Sequence, residues 1–232
     1  MASYPCPGQI KKSLEELLGG KNAAFLARAF LMDMITSSLK VKNSSLIIAH
    51  WPPDSRKDFE EIIYLCSQEE NNRAVKNRIG NIDLLPQLGD STAERLSSLS
   101  QRLFEMGCRK VLLISADVPQ LHPSIYNAAL ELLNNKHVVL GPTLNGGYYM
   151  IGMKKPVPEI FNGINWDGKS VYREMSDFLD SEDISWQELE LSYDIDSPED
   201  LEQLYMEIDT LRLTGEESIC YHTERCLKNL TE

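Results

Sequence analysis

The sequence predicts an α/β fold, in which short buried strands alternate with amphipathic helices along a chain of 232 residues. The first observation is the apolar run at 111–119, VLLISADVP, which ends in Asp117 and a proline, as a central strand does at a functional edge. The second is the apolar run at 45–52, SLIIAHWP, which is followed by helical spacing over 54–67. The third is a hydrophobic content of 42%, which is enough for one domain with a sizeable core.

The charge and composition of the chain limit its partners. A formal net charge of -12 disfavours nucleic acid, because phosphate-backbone binding depends on clustered Lys and Arg. The first twenty residues lack the apolar centre of a signal peptide, and no segment has the length to span a bilayer. The five cysteines are scattered, which fits a reducing compartment. We expect a soluble, cytoplasmic protein with no membrane partner, and the oligomeric state stays open.

The residues at 4–14, YPCPGQIKKSL, form a predicted loop that leads into one or two helices ending near Lys40. Lys11 and Lys12 would lie at the first helical turn, where backbone N–H groups and lysines together can hold an anion. A solvated basic turn explains the same residues, and the local pattern favours it.

A second helix start is predicted at Ser91, because Ser91 and Glu94 have the spacing of a capping box. Gln87, Gly89 and Asp90 would then project from a tight loop at the N-terminus of that helix. Such a loop can hold the polar edge of a ligand. Ordinary helix capping explains the pattern equally well.

Asp117 follows the apolar run at the position where ligands bind in open parallel sheets, beyond the carboxyl ends of the strands. The alternative is that Asp117 caps the next helix. Pro119 and the His122-Pro123 pair delay that helix to about Ser124, which leaves the carboxylate too early to cap it. The sequence therefore favours a functional role for Asp117, such as holding a divalent cation.

The segment at 137–153 contains two apolar runs around Asn145-Gly146-Gly147. Asn-Gly is the preferred pair for a tight hairpin turn, so the segment can be a simple hairpin. Paired glycines can equally let the backbone approach a bound ligand. The spacing alone does not choose between the two.

Towards the C-terminus, Ser197, Pro198 and Asp200 predict a helix start with an N-cap, a proline and an acid in the first turn. Asp196 lies just before it at a predicted strand end, and it can share a metal with Asp117 if the two strands are neighbours. Cys220, His222 and Cys226 lack the spacing of a structural zinc site, so we expect packing or surface roles for them.

Six blocks occur in order along the chain: YPCPGQIKKSL, QLGDSTAERL, VLLISADVP, VVLGPTLNGGYYMIG, INW and YDIDSPEDL. Together they closely resemble the glycosyltransferase-like family of selenodomain-associated transferases, a branch of the nucleotide-sugar transferase (GT-A) fold. That family is related to the molybdenum-cofactor and phospholactate guanylyltransferases. The similarity runs from Tyr4 to Leu204.

The resemblance implies a three-layer α/β/α, Rossmann-like domain with a mostly parallel mixed sheet at 1–214, followed by a C-terminal helical appendage at 215–232. The ligand would be a nucleotide sugar or a nucleoside triphosphate, with Mg²⁺ or Mn²⁺ between phosphates and acids. Asp117 matches the family's strand-end acid, which acts electrostatically as a metal ligand, and Asp196 matches the position of the second ligand. The remaining implied residues are Gly8 and Lys11 at the phosphates, Gln87, Gly89 and Asp90 near the base, and Gly146, Gly147, Tyr148 and Trp166 at the transferred sugar or acceptor.

The chain also departs from the family pattern. The usual apolar first strand is apparently lacking, Lys12 and Ser13 stand where Thr and Arg are usual, and Asn145 replaces an acid that serves as base or positions the acceptor. The leading hypothesis is a metal-dependent glycosyltransferase with Asp117 and Asn145 at its catalytic centre. The alternatives are a nucleotidyltransferase and a non-catalytic protein that keeps the scaffold.

Overall fold

The computed structural model describes residues 1–166, 168–216 and 219–231. Its strands are β1 (Ala2–Ser3), β2 (Ile47–Trp51), β3 (Asp83–Pro86), β4 (Val111–Ile114), β5 (Val138–Pro142), β6 (Tyr148–Met153) and β7 (Trp186–Glu188). Its helices are α1 (Lys12–Leu18), α2 (Gly20–Leu39), α3 (Arg56–Glu69), α4 (Arg73–Ile79), α5 (Thr92–Glu105), α6 (Pro123–Leu132), α7 (Val171–Ser181), α8 (Pro198–Leu213) and α9 (Tyr221–Thr231), with a 3₁₀ turn at Pro158–Phe161. The expected α/β fold with parallel and mixed sheets is confirmed.

The chain divides into two compact units. Unit 1 contains residue 1 and the segments 86–115 and 124–193, and unit 2 contains 2–85, 116–123 and the described residues from 194 onwards. Among the helices of both units that the structure describes, none combines the length and apolar character needed to cross a membrane.

Unit 2 contains a sheet with the strand order β1-β2-β3. The first strand consists of two residues that pair in parallel with β2, Ala2 opposite His50 and Ser3 opposite Trp51. The N–H of Tyr4 extends the pairing to the Trp51 carbonyl at 2.7 Å. Strand pairing uses backbone groups, so a stretch without an apolar run can still form it. The pairing here thus involves two residues without an apolar run, which agrees with the expectation that the usual apolar first strand is lacking.

The core of unit 2 lies between its sheet and the helices α2, α3 and α4. Buried side chains from each element meet there, among them Ile35 of α2, Ile48 of β2, Phe59 of α3 and Ile79 of α4. α2 ends at Leu39, as its apolar spacing predicted. This core supports the loop that precedes α1.

Helix α9 is attached to α2 through Asp33, whose side chain is fully buried. The Asp33 carboxylate accepts hydrogen bonds from the backbone N–H groups of His222 (2.9 Å) and Thr223 (2.8 Å) and from the Thr223 hydroxyl (2.6 Å). Burial raises the pKa of Asp33, and the nearby His222 and these hydrogen bonds oppose the shift. The first backbone donors of α9, which no earlier turn of that helix can satisfy, thus have a partner from α2.

Unit 1 contains a sheet with the strand order β4-β6-β5-β7. β6 runs antiparallel to both β4 and β5, whereas β5 and β7 are parallel. The middle strands are almost fully buried, since Val139 and Leu140 of β5 and Met150 and Ile151 of β6 are all inaccessible. The β5–β6 pair is the hairpin that the Asn145-Gly146 sequence allowed.

Candidate functional site

Asp117 and Asp196 are side by side in unit 2. The N–H of Ile195 donates to the carbonyl oxygen of Asp117 at 3.0 Å, which joins the segment after β4 to the segment before α8. The predicted helix start at α8 is confirmed, and the structure adds a capping box there, with the Ser197 hydroxyl accepting from the Asp200 N–H. The N–H of Asp196 also donates to the Asp200 carboxylate at 3.1 Å. The backbone around both acids is therefore held in place by local and long-range hydrogen bonds.

The ammonium group of Lys11 lies between the two acids. Its Nζ is 2.6 Å from Oδ1 of Asp117 and 2.8 Å from Oδ1 of Asp196, and it also donates to the Ile195 carbonyl at 2.8 Å. The Lys11 side chain is only 4% exposed, whereas those of Asp117 and Asp196 are 39% and 55% exposed. Burial alone would lower the pKa of Lys11, but the two carboxylates outweigh it and raise that pKa, so Lys11 is charged.

The backbone of Lys11 adopts a strained conformation in this position. Lys11 has φ 54° and ψ 49°, in the left-handed region that non-glycine residues rarely occupy. Strain of this kind amounts to about 1 to 3 kcal/mol and occurs mainly where the surrounding structure enforces it. The Lys11 ammonium also lies 5.9 Å from the ring centre of Phe30, on the buried side of the site. The conformation directs the side chain inwards, away from the solvated turn that the local sequence favoured.

Gly8 belongs to the same loop and has a left-handed backbone, with φ 81°. Its N–H donates to Oε1 of Glu15 at 2.7 Å. Glu15 lies in the first turn of α1, and sequence reasoning missed it. An acid in the first helical turn after a glycine-containing loop was the available signal, because such an acid can accept from nearby backbone N–H groups.

Gln87, Gly89 and Asp90 lie in unit 1, before α5. The N–H of Asp90 donates to Oε2 of Glu94 at 2.7 Å, and the capping box between Ser91 and Glu94 is confirmed. Hydrogen bonds from the Asp90 and Ser91 backbone lower the pKa of Glu94. Gly89 has φ 127°, and a Cβ there would overlap Glu94. Helix capping thus accounts for Gly89 and Asp90, and a role of these residues in nucleotide binding stays a prediction.

The turn between β5 and β6 is built around Asn145. Oδ1 of Asn145 accepts from the Thr143 hydroxyl at 2.7 Å and from the Gly147 N–H at 3.0 Å, which closes the turn. Gly146 has φ 85°, and a Cβ on it would overlap the carbonyl of Lys169. β5 and β6 thus form a hairpin with residues 143–147 between them, and the Asn145 oxygen bonds within its turn. An approach of Gly146 and Gly147 to a ligand stays a prediction.

Tyr148 and Trp166 come together beside this turn. Their ring centres are 6.2 Å apart at an interplanar angle of 73°, and Phe161 lies 6.5 Å from Trp166. Burial raises the pKa of Tyr148. The indole N–H of Trp166 is buried and makes no hydrogen bond to the residues that the structure describes. An aromatic pair with a spare donor is chemically suited to a polar ligand with an apolar face, such as a sugar.

Asp117 and Asp196 supply only part of the ligands that a divalent cation needs. Within the described ranges, no group of three or more His, Cys, Asp and Glu side chains could hold a metal ion. Asp117 and Asp196 provide carboxylate oxygens, which suit Mg²⁺ or Mn²⁺, and Mg²⁺ commonly takes one or two carboxylates with phosphate and water as its other ligands. The pair fits a cation of that kind, shared with a phosphate-bearing ligand.

Comparison with known proteins supports the fold. Residues 55–168 match a family described as "Uncharacterized protein conserved in bacteria (DUF2064)". No curated protein matches the sequence. The structure is similar to that of a Desulfovibrio desulfuricans G20 protein whose provisional description is nucleotide-diphospho-sugar transferase, with a TM-score of 0.81 and 27% identity over 99% of this chain and 93% of the other. The fold is that of the nucleotide-diphospho-sugar transferases.

Two more distant structures share the fold alone. One is 4-diphosphocytidyl-2C-methyl-D-erythritol synthase from Anaerococcus prevotii DSM 20548, with a TM-score of 0.52 and 15% identity over 77% of this chain and 86% of that one. The other is a CMP:2-keto-3-deoxy-manno-octonic acid synthetase complexed with CTP, with a TM-score of 0.50 and 9% identity over 78% of this chain and 88% of that one. The second of these proteins was solved with CTP bound.

Proposed function

We propose that this chain is a transferase that binds a nucleotide-activated sugar with its diphosphate at Lys11, Asp117 and Asp196. The observation that carries the proposal is the cluster itself, in which a buried ammonium and two accessible carboxylates meet within unit 2. A cation next to acids that can hold a metal is the charge arrangement that a diphosphate requires.

In the proposed reaction, the bond between the sugar's anomeric carbon and the diphosphate oxygen breaks, and its electron pair leaves with the nucleoside diphosphate. A new bond forms from the same carbon to an acceptor hydroxyl oxygen, and the proton of that hydroxyl is released to water. Lys11 would bind and orient the phosphates, while Asp117 and Asp196 would hold Mg²⁺ or Mn²⁺. The cation supplies positive charge that stabilises the leaving diphosphate.

In unit 1, taken by itself, we propose that Tyr148 and Trp166 bind a sugar, either the transferred one or an acceptor. The support is their edge-to-face packing and the buried indole N–H of Trp166, for which the described residues offer no acceptor. Gly146 and Gly147 would contribute by shaping the turn. Because Asn145 uses its oxygen within that turn, we assign it a positioning role.

A non-catalytic role is the second candidate, and two contacts favour it. The Gly8 N–H is bonded to Glu15, and Lys11 is bonded to Asp117 and Asp196, so the protein's own carboxylates occupy donors that would face a ligand's phosphates. Nucleotidyl transfer from a nucleoside triphosphate stays open as well, because it shares this fold and the strand-end acid.

Calorimetry with Mn²⁺ and a panel of nucleoside diphosphates, triphosphates and nucleotide sugars tests the proposal. We expect Mn²⁺-dependent binding of at least one diphosphate or nucleotide sugar, and Asp117→Asn should weaken it at least about tenfold. The matched control is Glu199→Gln, an exposed acid three residues from Asp196, which should bind as the wild type does. If the folded protein binds no nucleotide, both transferase functions are excluded and the non-catalytic role is left. Pyrophosphate release from a triphosphate would favour nucleotidyl transfer.

A further inference from the structure

The hydrogen-bonding capacity of Lys11 is fully used. An ammonium group has three donors and no acceptor. In this structure the three donors go to Asp117 at 2.6 Å, Asp196 at 2.8 Å and the Ile195 carbonyl at 2.8 Å. Lys11 therefore cannot donate to a phosphate while it keeps all of these partners.

The position of the ammonium also affects the acids. Its Nζ lies within hydrogen-bonding distance of one oxygen from each carboxylate, which is the place of a cation that bridges them. A divalent cation would need to approach carboxylate oxygens to about 2.1 Å, and at that range it and the ammonium repel each other strongly. With Lys11 in place, the net charge of the three side chains is reduced to about one negative unit, which weakens the attraction for a divalent cation.

The rest of the site allows Lys11 to move while the acids stay. Asp117 and Asp196 are held by the backbone bond between Ile195 and Asp117, whereas Lys11 has a flexible four-carbon side chain. Lys11 follows a loop that contains the left-handed Gly8. A bound phosphate can draw the ammonium of Lys11 away from the acids. The two carboxylates, both accessible to solvent, then lie next to the negatively charged phosphate without a counter-charge.

From this geometry we propose that Lys11 is an internal counter-cation of the acid pair. It keeps the affinity of Asp117 and Asp196 for a divalent cation low until a phosphate-bearing ligand takes the ammonium. Cation and ligand then bind cooperatively, because each favours the arrangement in which Lys11 has left the acids. The second half of this inference rests on the proposed function, since it requires a phosphate ligand at this site.

Mn²⁺ titrations without any nucleotide, followed by electron paramagnetic resonance of the free ion, test the first half directly. Wild type should bind Mn²⁺ weakly, and Lys11→Met should bind it at least about tenfold more tightly, because the competing charge is gone. Lys12→Met is the matched control: Lys12 is the exposed neighbour, and its replacement should leave Mn²⁺ affinity unchanged. Lys11→Arg keeps the charge and should stay within about threefold of wild type.

A double variant locates the ion. Adding Asp196→Asn to Lys11→Met should abolish the gained affinity. Equal Mn²⁺ affinity in wild type and Lys11→Met would overturn the proposal, and so would a gain that survives the loss of Asp196. Circular dichroism checks that Lys11→Met is folded, and Lys11→Gln, with the same expected gain, replaces it if it is not.

The second half is measured by repeating the Mn²⁺ titrations with a saturating nucleoside diphosphate, UDP being the probe. In wild type the nucleotide should increase Mn²⁺ affinity at the protein, and in Lys11→Met this increase should be smaller. An increase of equal size in both proteins would overturn the coupling. Failure of every nucleotide to bind would defeat the proposed function, whereas the nucleotide-free titration would still decide whether Lys11 competes with the cation.

Discussion

Unit 2 contains two carboxylate sites, Asp33 and the Asp117–Asp196 pair, which differ in burial and in the kind of hydrogen-bond partner. Asp33 is fully buried, and its carboxylate accepts hydrogen bonds from two backbone N–H groups and the Thr223 hydroxyl at the start of α9. Asp117 and Asp196 are 39% and 55% exposed, and they share the ammonium of one flexible lysine. The first group joins two helices, and the second meets solvent beyond the end of a strand.

The difference indicates which carboxylate can exchange its partner. Removing backbone donors from Asp33 would require α9 to leave α2, which would also expose buried residues such as Leu227. Removing Lys11 from the acid pair breaks three contacts of one side chain, and it leaves two acids that are already in contact with water. A buried acid with fixed donors thus serves stability, whereas an accessible acid with a mobile cation can serve binding.

The largest expected effect is on stability, in Asp33→Ala. This change removes the acceptor of three hydrogen bonds in a site without solvent, and it leaves buried donors of α9 unpaired. We expect the free energy of unfolding to fall by about 3 kcal/mol. Urea denaturation measures it, with Asp209→Ala, an exposed helical acid, as the control. A loss below about 1 kcal/mol would show that the contrast between the two groups is wrong.

Asp117→Asn should show the opposite profile. The side chain is partly exposed and the amide keeps its shape, so the free energy of unfolding should change by less than about 1 kcal/mol. Mn²⁺-dependent nucleotide affinity should fall at least about tenfold, equivalent to about 1.4 kcal/mol. Paired measurements of urea denaturation and calorimetry check both numbers. A large loss of stability without a change in binding would assign Asp117 to the structural class.

Thr223→Val removes a single donor from Asp33 and retains the side-chain shape. The two backbone donors remain, so the free energy of unfolding should fall by about 1 kcal/mol, clearly less than in Asp33→Ala. Urea denaturation of Thr223→Val and Asp33→Ala compares the two losses in the free energy of unfolding. Losses of equal size in the two would mean that the hydroxyl, and not the helix backbone, carries the attachment of α9.

Arg225→Met should have the smallest effect. Arg225 is 57% exposed and forms an ion pair with Glu69 at 2.9 Å on the surface of α9. Exposed pairs contribute about 0.2 to 1 kcal/mol and are screened by salt, so we expect a change near the lower end of that range. Denaturation at low and high ionic strength checks it. If the free energy of unfolding fell as much as in Asp33→Ala, the main attachment of α9 would be its surface ion pair and not Asp33.

Features set by neighbouring residues were predictable from the sequence. The capping box of α5 was found from Ser91 with Glu94, and the start of α8 was found from Ser197, Pro198 and Asp200, because each signal lies within a few residues. The end of α2 near Lys40 was found from helical spacing. Asp117 was placed beyond a strand end by the apolar run before it.

Features that depend on residues far apart in the sequence were harder to predict from the sequence. The strand at Ala2–Ser3 carries no apolar run, and only its register with β2 reveals it. Glu15 as partner of Gly8 was missed, because an acid in a first helical turn has many ordinary explanations. The Asn145-Gly146 turn was known to join β5 and β6 as a hairpin only once the two strands were found to pair.

By itself, the sequence determined the α/β class, the starts of α5 and α8 and the position of Asp117 after an apolar strand. Tertiary structure decided the partners: Lys11 meets Asp196 across 185 residues of sequence, and His222 meets Asp33 across 189. The reason is physical. Capping and strand periodicity arise from contacts within a few residues, whereas the partner of a buried charge is whichever group the complete fold brings within hydrogen-bonding distance.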